Sequence, residues 1–486
     1  MSNYFQILIL LLKFKLFLFI NRNSPQNERN IFNTTFIKIY GNNSDGEHFI
    51  DVYMGNSFQK QTLLIDITSY LTYFQCEDIC KNCSKINNNN ALYKLEKSAE
   101  ILMCKDEKCS FLDSNYDECE EENSNCTYRI TLQDQQQYEG IYIEDYFLFK
   151  NKIDEEQYNK TRMLFGCTLY DNLPILTFKA NGVLGLASDM DSFIPNYLVM
   201  NNLTNTEGIF SLCYDNKEGG YFSLGYINTT FHDPFEEIKY FPYIDTNNNY
   251  QFSLVSMKLS TIIGDNLYEI KFERNIIAII TNDFYCSLPE DLFDLLRDIY
   301  NNYLSQYQSE IEIKEEPSTG LLYFETYQNI DTLSYTLPPI VMQIFISKVN
   351  NAKYTWEPLN YLSEKNDKIY LNIKKNNKKY ITIGTSWMSD HEIIFNFNLK
   401  EIGFIKSSCN MISRDPCFKW KGKYLRKANI ICLPIIGFLI SLIIFLIIAI
   451  NELRKENSFL CIESKKDMIF KINNEMIPTN YSLIQV

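Results

Sequence analysis

Between residues 46 and 410 the chain is a succession of short runs in which apolar, aromatic and β-branched residues alternate with polar ones. HFIDVYM (48–54), QTLLID (61–66), GIYIEDYFLF (140–149), YQFSLVSMKLS (250–260) and EIIFNFNLKEIGFI (392–405) all have this period of two. Such alternation places successive side chains on opposite faces of a strand, so the body of the chain is mainly β. Helical patterns are few. Asp189–Met200 is one, and Pro289–Leu304 is the other, with proline followed by acids in its first turn. The Asn-rich stretches 86–90 and 246–249 are expected loops.

The two ends differ from this body. Residues 1–20 form an apolar stretch interrupted by Lys13 and Lys15, which reads as a secretory signal or signal anchor. Residues 430–450 are apolar and uncharged, long enough to span a bilayer, and follow a basic stretch at 411–429. The expectation is a single-pass type I membrane protein of the secretory pathway, at the plasma membrane or in an endolysosomal compartment. Its ectodomain is then luminal or extracellular and its tail, 451–486, cytoplasmic. The basic stretch alone argues for the opposite orientation, but large N-terminal domains translocate largely regardless of charge. Sequons at Asn33, Asn42, Asn82, Asn125, Asn159, Asn202 and Asn228 agree with a secretory glycoprotein.

Cysteine usage supports the same compartment. Twelve of the 14 cysteines precede the apolar segment, and seven of them lie between Cys76 and Cys126. In a secretory chain these read as disulfides. The C-x-x-C pair Cys80–Cys83 leaves zinc as the rival reading, and the oxidising compartment argues against it. No other metal pattern and no cofactor fingerprint is visible, and His48, His232 and His391 fall in no triad or ligand pattern. A formal charge of −14 argues against nucleic acid as a partner. The expected partners are a peptide or protein ligand and, through Ile430–Ile450, a membrane; the chain is expected to be a monomer.

Several segments, taken in order, resemble the pepsin-like (A1) aspartic proteases, in particular their membrane-anchored, cysteine-rich branch. DVYMGNSFQKQTLLIDITS (51–69) resembles the family's opening strands and first active-site turn. FGCTLYDNLP (165–174) with NGVLGLA (181–187), IFSLCYDNKEGGYFSLG (209–225), AKYTWEPLNYL (352–362) and ITIGTSWMSDHEIIFNFNLKEIGFIKSSC (381–409) resemble later segments in the family's order and spacing. The resemblance implies a bilobal fold with an N-terminal lobe at 46–230 and a C-terminal lobe at 231–410. It also implies descent from aspartic-type endopeptidases. In that fold each lobe threads a hydrophobic-hydrophobic-Gly strand through its active-site loop. Val183-Leu184-Gly185 and Thr382-Ile383-Gly384 match those strands.

The catalytic motifs depart from the family. Asp66 holds the first catalytic position, but Ile67 and Thr68 stand where Thr and Gly belong. The second motif reads AIITNDFYCSLP (278–289), one residue short, which puts Thr281 at the position of the second Asp. Asp283 supplies a carboxylate only after a shift of two residues along the strand. In the flap, Leu132 stands where Tyr belongs, and Gln135 and Gln136 replace the residues that shape the tip. Because the reaction needs two carboxylates sharing one proton, these departures imply lost proteolysis. A membrane-anchored binding glycoprotein is then the leading reading. An active aspartic endopeptidase of an acidic compartment is the alternative, and a purely structural surface glycoprotein is a third class.

Overall fold

A computed structural model of the chain describes residues 35–42, 46–81, 92–112, 123–131, 137–149, 161–169, 180–188, 192–200, 208–225, 227, 229–233, 236–246, 249–260, 266–307, 310–347, 349–410 and 483–485. The signal segment, the Asn-rich stretch at 86–90, the apolar run at 430–450 and the flap residues Leu132, Gln135 and Gln136 lie outside them. Among the described residues no helix is long and apolar enough to cross a membrane.

The architecture is mainly β, as the alternation requires. A 14-stranded sheet and a nine-stranded sheet dominate, with a smaller four-stranded one. The largest sheet draws strands from both halves of the chain. Ile209–Tyr214 pairs with Glu218–Leu224 on one side and with His391–Asn396 on the other. The Cys213–Cys409 disulfide staples the same two regions. A single apolar core runs through both halves, from Ile39, Ile65 and Phe165 to Phe252, Ile280 and Trp387.

The two helical patterns appear with shifted starts. The first forms an α-helix over Phe193–Met200, and the second over Glu290–Tyr307. Pro289 ends the preceding strand, Cys286–Pro289, instead of opening the helix, and the acids Glu290 and Asp291 occupy the first turn. That placement complements the partial positive charge of a helix N-terminus. The stretch around 246–249 joins the paired strands Ile244–Thr246 and Asn249–Ser260.

Each half repeats one arrangement around its candidate loop. In the first half, the strand Gln59–Asp66 ends at Asp66, the chain turns, and Tyr73–Gln75 leaves. Gly182–Gly185 returns between them, parallel to the first strand and antiparallel to the second. In the second half, Asn266–Ile280 and Cys286–Pro289 flank Ile381–Ile383 in the same way. Both returning strands are buried throughout, which accounts for their largely apolar reading, and the one hydroxyl among them, Thr382, is paired with that of Ser287.

Among the described residues the cysteines form disulfides, as expected, with one exception. Cys76–Cys167 and Cys109–Cys126 are bridged, and Cys80 and Cys104 are also disulfide-bonded, so Cys80 is no zinc-type thiolate. Cys286 is free and buried. Finally, Leu483–Gln485 forms a strand parallel to Glu269–Lys271.

Candidate active site

The site is built where the two turns meet. In the first, Asp66 pairs across the ladder with Gly185, and its carbonyl accepts from the Leu186 amide at 2.7 Å. Its carboxylate faces back into the turn. Oδ1 accepts from the backbone N–H of Thr68 at 2.8 Å, from the Thr68 hydroxyl at 2.7 Å and from the Ser69 N–H at 3.1 Å. Thr68 does not adopt a positive φ. The turn therefore does not demand glycine there, although Thr68 stands where the family has Gly.

The threading glycines explain themselves sterically. A Cβ on Gly185 would lie 2.7 Å from the Ser69 carbonyl oxygen and 2.6 Å from that of Leu71. A Cβ on Gly384 would lie 2.5 Å from the Asp283 oxygen and 2.6 Å from that of Tyr285. Neither distance is tolerable, so both strands need glycine for close backbone approach. The same contacts register the missing residue. The Gly185 N–H donates to Thr72 Oγ1 at 3.1 Å, six positions after Asp66. The Gly384 N–H donates to Cys286 Sγ at 3.2 Å, five positions after Thr281.

In the second turn Thr281 is bound to its own threading strand. Its N–H and hydroxyl both point to the Ile383 carbonyl, at 2.9 and 3.4 Å. Asp283 is exposed, and its carboxylate lies 3.2 Å from Lys374 Nζ. Its backbone oxygen accepts from the Thr385 N–H at 2.8 Å. The structure therefore does not bring Asp283 to Asp66.

The group that does reach Asp66 is Asn282. Its side-chain Nδ2 donates to Asp66 Oδ1, and its Oδ1 accepts from the Ile67 N–H at 2.7 Å. The orientation of the amide follows from its neighbours. The Ile67 N–H can only donate, so the atom facing it must be the oxygen, which leaves the NH₂ to face the carboxylate. Ile67 has no hydroxyl, and its contact across the two turns runs through its backbone N–H. The sequence singles out Thr281 and Asp283 around it, not Asn282 itself. The available signal was its place immediately after Thr281, which mirrors Ile67 after Asp66.

The surroundings are apolar and aromatic. Tyr214 lies close enough for the Asp66 charge, added to burial, to push its phenol far up. His48 packs on Tyr214 with ring centroids 3.9 Å apart, and burial lowers its pKa to about 3. Beside the second turn, His391 lies against Tyr354 at 4.7 Å, and burial lowers it to about 4. The flap strands Thr127–Thr131 and Gln137–Leu148 pair as a hairpin. Tyr128 from this hairpin fills the space above Gly140 and Gly166, where a Cβ would meet its ring at 2.4 Å.

Chemically, Asp66 can accept hydrogen bonds or take a proton from a water. The reaction also requires an acid to protonate the carbonyl oxygen of the scissile amide. The side chain bonded to Asp66 is an amide, which donates hydrogen bonds but is no acid and does not transfer a proton to a reacting oxygen. Among the described residues no metal-ligand cluster is present.

Paired turns threaded by glycine strands in both halves decide the fold. The chain has a pepsin-like fold. Residues 48–226 match the family described as Xylanase inhibitor N-terminal. Plasmepsin V of Plasmodium falciparum (isolate 3D7) is 22% identical over 470 residues, covering 81% of this chain and 76% of the relative. The aspartyl protease AED1 of Arabidopsis thaliana is 24% identical over 306 residues, covering 60% of this chain and 57% of the relative. Among solved structures, soybean basic 7S globulin superposes with a TM-score of 0.59 at 15% identity, covering 78% of this chain and 96% of that one. Conglutin gamma from lupine seeds gives a TM-score of 0.58 at 15% identity, covering 77% and 95%. These structural neighbours share the fold.

Proposed function

We propose that this chain is a pepsin-like homologue whose cleft binds a peptide or protein segment without hydrolysing it. One observation carries the reading. The amide of Asn282 occupies the hydrogen-bonding position on Asp66 that a second carboxylate would need, while Thr281 is turned to its own strand. An extended ligand beside a β hairpin is recognised largely through backbone hydrogen bonds, which survive the loss of the carboxylate pair. The match to a family described as xylanase inhibitor is consistent with a binding role on this fold. The roles assigned to Asp66, Thr281, Gly185 and Gly384 belong to this proposal.

The second reading, an active endopeptidase of an acidic compartment, draws on the names of two relatives, plasmepsin V and an aspartyl protease. The two are separated with denatured casein as probe. The binding reading expects the full-length chain to retain casein in a pull-down, unchanged in mass, and expects Asp66→Ala to leave most of that capture intact. Casein fragments that disappear with Asp66→Ala would establish the endopeptidase instead.

We further propose that the chain is a monomeric, type I membrane glycoprotein of the secretory pathway, anchored by 430–450. The disulfides and the exposed side chain of Asn125 support an oxidising, glycosylating compartment. The strand Leu483–Gln485 bears directly on this topology. A span at 430–450 would carry it across the bilayer from Glu269–Lys271, so that pairing and the anchor exclude one another. Protease digestion of sealed microsomes tests the point. Removal of a C-terminal epitope tag supports the anchor, and protection of the tag overturns it.

A further inference from the structure

We infer that Asn282 is a positioning residue whose amide stands permanently where a catalytic pair would share a proton, clamping the two turns together at any pH. The inference rests on the non-hydrolytic reading of the same site. Two carboxylates in contact hold each other only while one proton lies between them, because two like charges so close cannot both remain. Their mutual contact is therefore an acid-side property. An amide meets a carboxylate differently, since its N–H donates and its carbonyl accepts whatever the pH.

Asn282 uses both ends at once. The NH₂ end is bonded to Asp66 Oδ1, and the carbonyl end takes the Ile67 N–H at 2.7 Å. Ile67 is fully buried and Asn282 half-buried, so water competes little for these bonds. With the turn donors from Thr68 and Ser69, Oδ1 is saturated. Among the described residues no donor is on Oδ2, which remains as the acceptor for a ligand. The clamp thus fixes both the relation of the turns and the orientation of the one carboxylate oxygen left for binding.

The neighbouring groups do not supply a competing switch near neutrality. On the first half, Tyr214 is pushed far up by burial and by Asp66, and the His48 ring packed against it at a tilt is held neutral by burial. On the second turn, Asp283 is engaged by Lys374, and Tyr285 is raised by burial and by Glu316. A pH-dependent change introduced at position 282 therefore reports on the contact with Asp66.

The test is thermal unfolding of the full-length chain in mild detergent between about pH 4 and pH 7, comparing wild type with Asn282→Asp and Asn282→Leu. Asn282→Asp is isosteric and creates a true carboxylate pair. Its shared proton is retained in the folded state at acid pH and lost as pH rises, so its contribution is present at low pH and disappears toward neutrality. The expected Tm is within about 1 °C of wild type near pH 4 and roughly 4 °C lower at pH 7. Asn282→Leu is expected to lie roughly 3 °C below wild type at both ends. An Asn282→Asp offset that does not change with pH overturns the clamp, as does an Asn282→Leu protein that melts with wild type. If the Leu variant does not fold, the pH dependence of the Asp variant decides alone. The same wild-type sample is assayed for Asp66-dependent cleavage of casein. Cleavage would refute the non-hydrolytic reading whatever the melting data, and a pH-flat offset would refute the clamp whatever the assay.

Discussion

The turn at Asp66 and the turn at Thr281 have the same surroundings and different contents. Both lie between a parallel pair and an antiparallel pair of strands, both are threaded by a glycine, and both give that glycine's N–H a side-chain acceptor. The first turn keeps a carboxylate and cradles it with three donors of its own. The second is one residue shorter to its glycine's acceptor and sends an amide across instead. The difference separates two demands on the sequence. Backbone threading depends on two glycines and buried apolar strands, so it survives. Proteolysis of the pepsin type would depend on two particular carboxylates at one distance, and at the second turn the group that reaches Asp66 is an amide.

The comparison breaks most severely at the glycines. Gly185→Ala and Gly384→Ala each force a Cβ against backbone oxygens that cannot yield. Each is expected to cost about 4 kcal/mol or more, enough to abolish accumulation of folded protein. Equal losses support equivalent threading, and a well-folded variant at either position would show that its strand is not packed as described. Yield and circular dichroism of the two variants supply the measurement.

Acid comes next. Each turn is backed by a buried neutral histidine, His48 lowered to about 3 and His391 to about 4. In the unfolded chain both titrate near 6.5, so their stabilising contribution is present above that pH and lost as pH falls. Each should lose roughly 2 kcal/mol between pH 7 and pH 5. Asp390 works in the opposite direction. Burial and Asp215 raise it to about 6, so it favours folding below its unfolded value and loses that contribution as pH rises through 6. By pH 5 it returns roughly 1 kcal/mol, leaving a net loss of about 3 kcal/mol. Urea midpoints at the two pH values check this, and His48→Phe should reduce the loss by about two-thirds. A chain more stable at pH 5 would contradict the account and favour the acidic-compartment reading.

The smallest effect concerns the acceptors of the threading amides. Thr72→Val leaves the buried Gly185 N–H without its partner and should cost about 2 kcal/mol. Cys286→Ala removes a weaker sulfur acceptor from Gly384 and should cost about 1 kcal/mol. A reversed order, read from denaturant midpoints, would mean that the shorter turn is the more tightly held of the two.

Much of this was legible in the chain itself. The period-two runs announced a mainly β body, and Val183-Leu184-Gly185 and Thr382-Ile383-Gly384 stood out because a buried parallel strand admits few polar residues. The second turn was harder. Its deletion left Thr281, Asn282 and Asp283 as competing candidates, and linear spacing does not reveal which side chain reaches across to a residue more than 200 positions away. Attention to carboxylates favoured Asp283 as the alternative, whereas its exposed position drew it to Lys374. At Thr68 the substitution alone did not reveal that the turn forms without a left-handed residue, with the Thr68 N–H and hydroxyl both bonded to Asp66.

The central claim is that one carboxylate and one amide bind without hydrolysing. The most direct measurement is the rate of hydrolysis of a quenched fluorogenic peptide library by the full-length chain, alongside Asp66→Ala, at steps between about pH 3 and pH 7. The account predicts identical background traces for both proteins at every pH. Hydrolysis by the wild type that is absent from Asp66→Ala would contradict it.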